Sequence, residues 1–398
     1  MKKLSTLPAL ILLLSTCLNA QTVTRIMVVA DQHVISPVQD FRQTILYELT
    51  LAAIEEQVDF IFLPGDLIIS MPGDTGMMDT VLADWRFVLD TLSHHDIRLL
   101  ACRGNNDAGC GIAWDSLFSG SYSFPSNGPD TELNRTYAFE YNNVLFVSLD
   151  QYFNPHRINQ EWLDSILAAN TKPHVFVAGH EAAFKLYHTY IMGAYPEERN
   201  TFWESLVEAG TKIYFCGHDH FYDHSIIYDS AGTAGHEIHQ VIAGTGGGYF
   251  HSDSEYNGDN GRWVPQRLFH EASFGYVLLD VNDMEVTLMW KHRTDSSTYE
   301  YGGDSYTFTA SSSGYPVRDG SELLAFPNPF TTSTTLHFSN PGGDPYCLYI
   351  RDLSGKICRI VDEIRASGYI LEKNDLDSGI YFIELKGPRV FRGMIIVL

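Results

Sequence analysis

Five polar clusters, each directly after a predicted apolar strand, constrain this chain more than any other feature of its sequence. The clusters are Asp31-Gln32-His33, Gly65-Asp66, Gly104-Asn105, Gly179-His180 and Gly217-His218-Asp219-His220. In an open α/β sheet, ligands bind at the carboxyl ends of the strands. We therefore expect the clusters to converge, although they extend from residue 31 to residue 220. Four of them begin with glycine, which suits tight turns with close backbone approach.

The pattern around these clusters predicts an α/β domain. Apolar runs at 24–31, 59–66 and 97–102 indicate strands, and helical spacing lies between them at 38–57 and near 79–93. This alternation is typical of parallel βαβ units. The remaining predicted elements are a hairpin over 137–150, helices near 157–169 and 197–209, strands at 174–179 and 212–216, and period-2 strands from 225 to 308.

The chain changes character after residue 309. Residues 310–322 are rich in Ser and Gly and lack apolar periodicity, so we predict a linker there. The remainder, 323–398, contains short strands separated by turns and predicts a small all-β sandwich. With a leader over 1–20, the main domain is then 21–309.

The first residues have the composition of a secretory signal peptide. A positive start at Met1-Lys2-Lys3 precedes a short apolar run over 8–14, and Leu18-Asn19-Ala20 offers a cleavage point. Lipid attachment at Cys17 is an alternative, because Leu14-Ser15-Thr16-Cys17 is similar to a lipoprotein box. No later stretch has 18 consecutive apolar residues, so we predict no transmembrane segment. The sequence thus predicts an exported protein.

The remaining cysteines do not form a recognisable framework. Five are left after Cys17, at uneven spacing and without a CxxC pair. An odd number of this kind argues against a disulfide scaffold and against a zinc ribbon. Cys102 and Cys110 either pair across a loop or stay unpaired.

Charge limits what the clusters can bind. Lys and Arg number 26 against 49 Asp and Glu, a net charge of −23, which argues against general nucleic-acid binding. A phosphate could bind only where something local reverses the sign.

The clusters supply two carboxylates, one amide and four imidazoles, a donor set that suits Mn, Fe, Zn, Co or Ni better than Ca. Two such ions sharing a carboxylate would clamp the oxygens of an in-line phosphoryl transfer. Any one of these residues alone would more simply be a cap, but five ordered clusters do not fit five independent caps.

In their order, the clusters resemble the motifs DxH, GDx, GNHD or GNHE, GHx and GHxH of the calcineurin-like metallophosphoesterases, over about residues 24–292. The resemblance implies a four-layer α/β/β/α sandwich and phosphate-ester hydrolysis by a metal-bridging hydroxide. It also implies two sets of metal ligands that share Asp66. The first set is Asp31, His33, Asp66 and His220, and the second is Asp66, Asn105, His180 and His218.

The chain departs from the family pattern at Asn106, where the family commonly has a histidine credited with protonating the leaving group. An amide can donate a hydrogen bond to phosphate but cannot deliver that proton. We predict catalytic roles for Asn105, Asn106 and Asp107, and an altered substrate preference instead of a dead enzyme. A second departure is Ile69, because purple acid phosphatases have a tyrosine ligand at the corresponding position.

Several further residues are weaker candidates. Arg103 is a possible phosphate contact, although a capping or solvent-facing role is the simpler one. The glycine-rich run 244–248 is more typical of a sharp turn than of a phosphate cradle. The spare histidines that could line the pocket are His188, His224, His236, His239 and His251. The aromatic residues that could floor a nucleobase or aryl pocket, or simply pack in the core, are Tyr187, Tyr190, Tyr195, Phe202 and Trp203.

The C-terminal residues resemble the sorting domain of type IX secretion. The similarity rests on Pro327–Phe330, Asp352–Lys356, Ser378–Leu385 and the closing strand to Leu398. It implies export through the outer membrane by the type IX machinery. An ordinary β-sandwich accessory module is the alternative.

Together these features predict a secreted or cell-surface metallophosphoesterase with two divalent or trivalent ions (Mn, Fe, Zn or Co). Its substrate would be a small phosphate ester or a nucleotide. A phosphodiesterase, a phosphomonoesterase and a nucleotidase all remain compatible with the residues. The alternative from another class is a surface-attached binding or adhesive protein whose metal site does not turn over substrate.

Overall fold

A computed structural model describes the chain from residue 23 to residue 398, with gaps. The residues it does not describe within that range are 36–39, 70–74, 232–235, 259, 283–284, 310–322, 327–329, 339, 341–342, 353–354, 367 and 375. The predicted leader, 1–20, and the predicted linker, 310–322, therefore lie outside the described residues. Within the described part, no helix combines the length and apolarity that crossing a membrane requires.

Strands and helices alternate in the first half of the chain. The elements are β1 (Thr24–Val28), α1 (Phe41–Glu55), β2 (Phe60–Leu63), α2 (Thr75–His94), β3 (Arg98–Ala101), α3 (Asn105–Ala108), α4 (Gly111–Leu117), β4 (Tyr137–Tyr141), β5 (Val144–Ser148), α5 (Gln160–Ala169), β6 (His174–Ala178), α6 (Pro196–Glu208) and β7 (Ile213–Cys216).

The elements described in the second half of the chain are all strands. They are β8 (Tyr222–Asp229), β9 (Ile238–Ala243), β10 (Trp263–Glu271), β11 (Gly275–Val281), β12 (Glu285–Arg293), β13 (Tyr299–Thr309), β14 (Leu324–Phe326), β15 (Ser333–His337), β16 (Tyr346–Arg351), β17 (Ile357–Ile364), β18 (Gly368–Glu372), β19 (Gly379–Lys386) and β20 (Val390–Val397).

Two mixed sheets form the main domain. One has the strand order β13-β12-β11-β1-β2-β3, and the other has the order β10-β8-β9-β7-β6-β5-β4. β1, β2 and β3 are parallel neighbours, as are β5, β6, β7 and β9. The predicted βαβ units are therefore present, and the later strands add antiparallel edges to both sheets.

Aromatic side chains fill the space between the two sheets. Phe60 on β2 and Phe146 on β5 pack edge to face, with ring centroids 4.7 Å apart. Helices α1 and α2 add Leu49 and Trp85 to the same buried cluster, whereas Trp203 of α6 belongs to the cluster of the second sheet. This arrangement confirms the predicted four-layer α/β/β/α fold.

Helix α1 begins later than its apolar spacing predicted. The prediction was 38–57, and the helix runs over Phe41–Glu55. The Asp40 side chain accepts a hydrogen bond from the backbone N–H of Arg42 at 3.1 Å, so Asp40 is the N-cap. Capping by a short polar side chain, which periodicity does not detect, sets the start of this helix.

The C-terminal strands have a hydrophobic core of their own. Antiparallel sheets with the orders β14-β15-β18 and β17-β16-β19-β20 share one buried cluster, which includes Leu336, Leu348, Ile383 and Phe391. The alternation of buried and exposed residues along β16 and β19 matches a sheet with one face on this core. The predicted all-β character of these residues is confirmed.

All five cysteines after Cys17 are described, and all are free. Cys102 is buried, and its thiol donates to the backbone carbonyl of Ala178 at 3.3 Å. Burial raises the pKa of this thiol to about 12. Of the two possibilities for Cys102 and Cys110, the structure therefore has the unpaired one.

Candidate metal centre

The loops that carry the five polar clusters lie side by side at the carboxyl ends of the parallel strands. The backbone N–H of Asp31 donates to the carbonyl of Gly65 at 3.0 Å, and that of His33 donates to the carbonyl of Asp66 at 3.1 Å. In the other sheet, the N–H of Gly217 donates to the carbonyl of His180 at 2.9 Å. Hydrogen bonds between loops thus fix the backbone from which the polar side chains project.

Four of the seven predicted metal ligands have a left-handed backbone. The φ angles are 63° at Asp31, 51° at His33, 57° at Asp66 and 70° at His218. Residues other than glycine rarely adopt this conformation, and it costs about 1–3 kcal/mol where it occurs. Strain concentrated in this way is typical of functional sites.

Glycines allow two of the carboxylates to reach the centre. A Cβ atom at Gly104 would lie 2.1 Å from Asp66 Oδ1, and one at Gly217 would lie 2.4 Å from Asp31 Oδ2. Neither distance is compatible with a side chain. These two cluster glycines are therefore required by close approach.

Asp31 lies between several imidazoles. Its Oδ1 is 3.6 Å from His33 Nε2, 3.5 Å from His220 Nε2 and 3.9 Å from His180 Nε2. Its Oδ2 accepts the backbone N–H of His218 at 2.9 Å. Oδ1 is buried and has no hydrogen-bond partner among the described residues. A buried carboxylate oxygen surrounded by imidazole nitrogens at these distances is well placed to bind a cation.

Asp66 lies between His33 and His180, and His180 in turn contacts Asn105. Its Oδ2 is 3.1 Å from His33 Nε2 and 3.6 Å from His180 Nε2. His180 Nε2 is in turn 3.2 Å from Asn105 Oδ1. Six of the seven predicted ligands thus meet through side-chain atoms.

The seventh predicted ligand, His218, contacts the others through its ring. Its ring centroid is 5.1 Å from that of His180, and it stacks on His188 at 3.8 Å. Burial, with the nearby charges of His180 and His188, lowers the pKa of His218 to about 3. The ring is therefore neutral at physiological pH, which is the form that binds metals.

Backbone carbonyls orient two of the histidines. His180 Nδ1 is 2.7 Å from the carbonyl of Pro64, and His220 Nδ1 is 2.7 Å from the carbonyl of Tyr249. A carbonyl can only accept, so each Nδ1 carries the proton and each Nε2 faces the carboxylates. Ligand histidines are commonly held in this way by the second nitrogen.

The carboxylates hold protons on two of these imidazoles. Burial opposes the charged form of His33, but hydrogen bonds with Asp31 and Asp66 outweigh it and raise its pKa to about 9. Burial also opposes protonation of His180, and the charges of Asp66 and Asp31 raise its pKa to about 10. The same pairs lower the pKa of Asp31 and Asp66 despite their burial. A metal ion at this position would replace these protons.

Asn106 contacts Asp66 directly. Its side-chain amide donates to Asp66 Oδ2 at 2.6 Å, and its backbone N–H donates to Asp66 Oδ1 at 2.8 Å. These bonds hold the carboxylate that faces His33 and His180. Asn106 thus lies at the centre, with its amide turned toward a carboxylate, and its catalytic role stays a prediction.

Asp107 is fully buried and contacts backbone groups. Its carboxylate accepts the backbone N–H of Gly104 at 2.9 Å, of Asp66 at 2.8 Å and of Leu67 at 3.1 Å. Burial, followed by the charge of Asp66, raises its pKa to about 7. These contacts tie the loop after β2 to the loop after β3, so they give Asp107 a positioning role, and the catalytic role expected from the sequence stays a prediction.

The positions and chemistry of these donor atoms fit metal ions, independently of any resemblance to a family. Asp31, His33 and His220 offer ligand atoms within 4.8 Å of one another, and so do Asp31, Asp66 and His180. The two groups share Asp31 and contain only carboxylate and imidazole donors, which suit transition metals and zinc. The buried, unpartnered Asp31 Oδ1 supports the same conclusion.

Comparison with known proteins assigns the family. The profile of the calcineurin-like phosphoesterase family matches residues 24–222, which is half of the chain. The chain belongs to this family. Family membership supports hydrolysis of phosphate esters as the activity, and members of the family typically bind two metal ions.

Solved structures support the fold. The chain is similar to the purple acid phosphatase PPD1 from yellow lupin (Lupinus luteus) seeds, with 17% identity, a TM-score of 0.54 and coverage of 73% of this chain and 54% of that one. It thus spans about half the length of the lupin protein. PhoD matches with 12% identity, a TM-score of 0.52 and coverage of 72% and 70%. GAP50, the anchor in the inner membrane complex of Plasmodium, matches with 14% identity, a TM-score of 0.50 and coverage of 72% and 88%.

A search of curated proteins found no significant sequence match.

Within this phosphoesterase domain, Arg103 is committed to an ion pair. Its Nη2 is 2.7 Å from Asp150 Oδ2, and its Nε donates to Asp150 Oδ1 at 3.1 Å. Both side chains are nearly inaccessible to solvent. The pair joins the loops after β3 and β5, so Arg103 does not have the solvent-facing position that was one of the roles expected from the sequence, and its contact with a phosphate stays a prediction.

The glycine-rich run 244–248 is a turn against the metal centre, as its sequence favoured. A Cβ atom at Gly248 would lie 2.7 Å from His220 Nδ1, and the Gly248 N–H donates to the carbonyl of Asp31 at 2.8 Å. This turn delivers Tyr249 and His251 to the side of His220.

Two of the spare histidines lie beside predicted ligands. His188 Nδ1 is 2.6 Å from Asp219 Oδ1, and His251 stacks on His220 with ring centroids 4.1 Å apart. Asp219 also accepts the backbone N–H groups of Tyr187 and His188, both at 3.1 Å. Asp219 therefore holds His188 and the backbone of the Tyr187–His188 segment beside the centre. The sequence did not predict this role, although an acid between His218 and His220 was the available signal.

The aromatic candidates divide between core and surface. Phe202 and Trp203 are buried in the second core cluster. Tyr187 and Tyr190 are exposed, and the Tyr187 ring stacks on His251 at 4.3 Å. Tyr195 is partly buried, with the Arg157 guanidinium 3.8 Å from its ring centroid. Of the five, Tyr187 and Tyr190 are the most accessible to a ligand.

Proposed function

We propose that the chain hydrolyses phosphate esters at a centre of two metal ions. The observation that carries this proposal is the pair of buried carboxylates, Asp31 and Asp66, whose oxygens lie 3.1 to 3.9 Å from the Nε2 atoms of His33, His180 and His220. Family membership supplies the reaction class. The donor set supplies the metal preference, which is Mn, Fe, Zn or Co.

The ligands divide around Asp66. One ion would be held by Asp31, His33, Asp66 and His220, and the other by Asp66, Asn105, His180 and His218. Asp66 is proposed as the shared ligand because its Oδ2 lies between His33 Nε2, at 3.1 Å, and His180 Nε2, at 3.6 Å. Asn106 donates to the same oxygen at 2.6 Å and so helps to hold it between the two groups.

Two ions in such a centre neutralise the phosphate and activate a water molecule. The chain itself positions the reacting parts. Asn105 offers an amide near His180, and Asp107 fixes the backbone that presents Asp66. The amide of Asn106 is too weak an acid to protonate the leaving group, so the leaving group departs without acid from this position. General acid catalysis contributes about 10²–10⁴-fold, so esters with good leaving groups should be preferred.

We further propose that the protein is exported and that 323–398 is recognised by the type IX secretion machinery. The signal-like residues 1–20 and the C-terminal motifs support this proposal. The separate hydrophobic core of the C-terminal strands is consistent with a region recognised as a unit. Detection of the intact chain only inside cells, in a host with this secretion system, would contradict it.

Hydrolysis by the full chain loaded with Mn²⁺ tests the enzymatic part. We would compare bis-(p-nitrophenyl) phosphate with p-nitrophenyl phosphate, using Asp66→Asn as the matched control. Turnover of the diester that disappears in the control would support a phosphodiesterase, and a preference for the monoester would support a phosphatase or nucleotidase. Two bound metal ions without turnover of either substrate would favour the binding-protein alternative.

A further inference from the structure

Exposed aromatic rings border the metal centre beside His220. Tyr249 is 68% exposed, Tyr187 is 40% exposed and Phe41 is 37% exposed. Single exposed rings are common on protein surfaces, but a group of exposed apolar rings beside a cleft often marks a binding surface. Tyr249 contacts the proposed ligand His220, and Tyr187 stacks on His251, which itself stacks on His220, so a ligand that covered these two tyrosine rings would be a ligand of the metal centre.

Tyr187 extends a stack that begins at the metal centre. His251 lies flat on His220, with ring centroids 4.1 Å apart and an interplanar angle of 13°. Tyr187 lies flat on His251, at 4.3 Å and 12°. The stack therefore leads from His220 toward the solvent and ends in an aromatic ring.

Tyr249 borders His220 through its backbone. Its carbonyl accepts a hydrogen bond from His220 Nδ1 at 2.7 Å. The Arg42 guanidinium lies 4.6 Å from the centroid of the Tyr249 ring, and Phe41 packs against the ring at 5.5 Å. Arg42 is itself buried and paired with Asp40 at 2.7 Å. The ring is therefore held in place while most of it remains in water.

Both tyrosines stand on fixed backbone. The N–H of Tyr187 donates to the buried carboxylate of Asp219 at 3.1 Å, and the N–H of Gly248, just before Tyr249, donates to the carbonyl of Asp31 at 2.8 Å. A ring that is already positioned loses little conformational entropy when a ligand stacks on it.

We propose that Tyr187 and Tyr249 form a stacking platform for a planar aromatic group in the substrate, next to the ester phosphate. This inference rests on the proposed phosphoesterase centre and names the class of ester it takes. Aromatic stacking tolerates many rings, so an aryl ester and a nucleotide present the same chemistry to the platform. Asn106 cannot protonate the leaving group. This favours an aryl ester over a nucleotide, because a phenolate leaves without a proton more readily than a sugar alkoxide.

Phosphonates test the platform without turnover. We would measure binding of phenylphosphonate and butylphosphonate to the full, metal-loaded chain by calorimetry. Stacking on an aromatic side chain is worth enough that we expect phenylphosphonate to bind about tenfold more tightly. Equal affinities in the wild-type chain would overturn the proposal.

Matched variants locate the effect. Tyr249→Leu and Tyr187→Leu keep apolar bulk but remove the ring, so each should reduce the preference for phenylphosphonate, whereas Tyr249→Phe should retain it. Tyr301→Leu is the control, because Tyr301 is 57% exposed on β13 and lies outside the proposed platform. A preference unchanged in both leucine variants would overturn the proposal.

A nucleotide arm distinguishes the two sources. Tighter binding of adenosine 5′-monophosphate than of ribose 5-phosphate would support a nucleobase on the platform. A preference for phenylphosphonate alone would support an aryl ester. Ring-dependent phosphonate binding without hydrolysis of any ester would contradict the proposed function and leave the platform standing, so the two failures are separable.

Discussion

Two groups of histidines in the same domain have different hydrogen-bonding partners and different pKa shifts. At the metal centre, His33 and His180 face two carboxylates, and Asp31 Oδ1 has no hydrogen-bond partner among the described residues. Between the sheets, His224 Nδ1 lies 2.7 Å from Asp304 Oδ2, and its Nε2 lies 2.6 Å from His239 Nδ1. Tyr222 donates to the same Asp304 oxygen at 2.6 Å.

The two groups differ in whether their polar atoms all have hydrogen-bond partners and in how many carboxylates face the histidines. In the His224 group, one carboxylate serves two donors, and burial with the charge of His224 lowers the pKa of His239 well below its usual value. At the metal centre, two carboxylates raise the pKa of both His33 and His180. The proposed metal centre thus differs from the His224 group in having a second carboxylate and, at Asp31 Oδ1, a buried oxygen with no hydrogen-bond partner among the described residues. The following variants test this distinction.

The largest effect is expected at Asp66. Asp66→Asn removes the charge shared by His33 and His180, so we expect phosphoesterase activity to fall more than about 100-fold, beyond the loss typical of residues that only support a metal ligand. Steady-state hydrolysis of bis-(p-nitrophenyl) phosphate measures it. More than a tenth of wild-type activity would contradict the shared-ligand assignment.

The two groups should also differ in pH dependence. The pKa values of about 9 for His33 and about 10 for His180 mean that both are protonated at pH 7 without metal. Metal binding must release these protons, so apparent affinity should rise by up to about tenfold per pH unit for each proton released. Chelator competition between pH 6.5 and 9 measures the slope. A flat profile would contradict these protonation states.

The stability of the metal-free chain should change in the opposite direction. Both folded-state pKa values lie above the unfolded value of 6.5, so protonation of His33 and His180 stabilises the folded state fully below pH 6.5. That stabilisation is lost as the pH rises through about 9 to 10. Urea unfolding of metal-free protein should show it, and the loss should disappear once metal is bound.

A histidine added to the metal centre should act on chemistry. Asn106→His introduces a group able to donate a proton. We therefore expect about a tenfold gain on esters with poor leaving groups and a smaller gain on aryl esters, where acid catalysis contributes less. Phenyl phosphate and alkyl phosphates, assayed side by side, give the ratio. Equal gains on both would remove the leaving-group argument.

The smallest effect on activity is expected from a change in the His224 group. Asp304→Asn should lower stability by about 1–3 kcal/mol, because it disturbs a buried hydrogen-bond network, but it should leave metal content and kcat nearly unchanged. Metal analysis and denaturant unfolding of the same preparation compare it with Asp66→Asn. Loss of metal from Asp304→Asn would break the distinction between the two groups.

The fold was predictable because strand ends carry local signals. The parallel strands, the hairpin and the all-β C-terminal residues follow from apolar periodicity, and the positions of Asp31, Asp66 and His180 follow from those strand ends. The start of α1 at Phe41 was not predictable from periodicity because it depends on the Asp40 cap.

Other features of the site depend on tertiary contacts. The buried position of Asp107 beneath backbone N–H groups, the pairing of Arg103 with Asp150 and the stacking of Tyr187 on His251 join residues from different loops. A single sequence has no local pattern for such contacts. It indicated which residues carry chemistry, and the structure distinguishes those that face the centre from those that support it.

Metal stoichiometry tests the central claim most directly. We would reconstitute the full chain and Asp66→Asn with Mn²⁺, remove loosely bound ions and measure metal per chain by mass spectrometry, with Asp304→Asn as the folded control. We expect two ions in the wild-type chain and in the control, and fewer than two in Asp66→Asn. A single ion in the wild-type chain, or two ions retained in Asp66→Asn, would contradict a centre that shares Asp66.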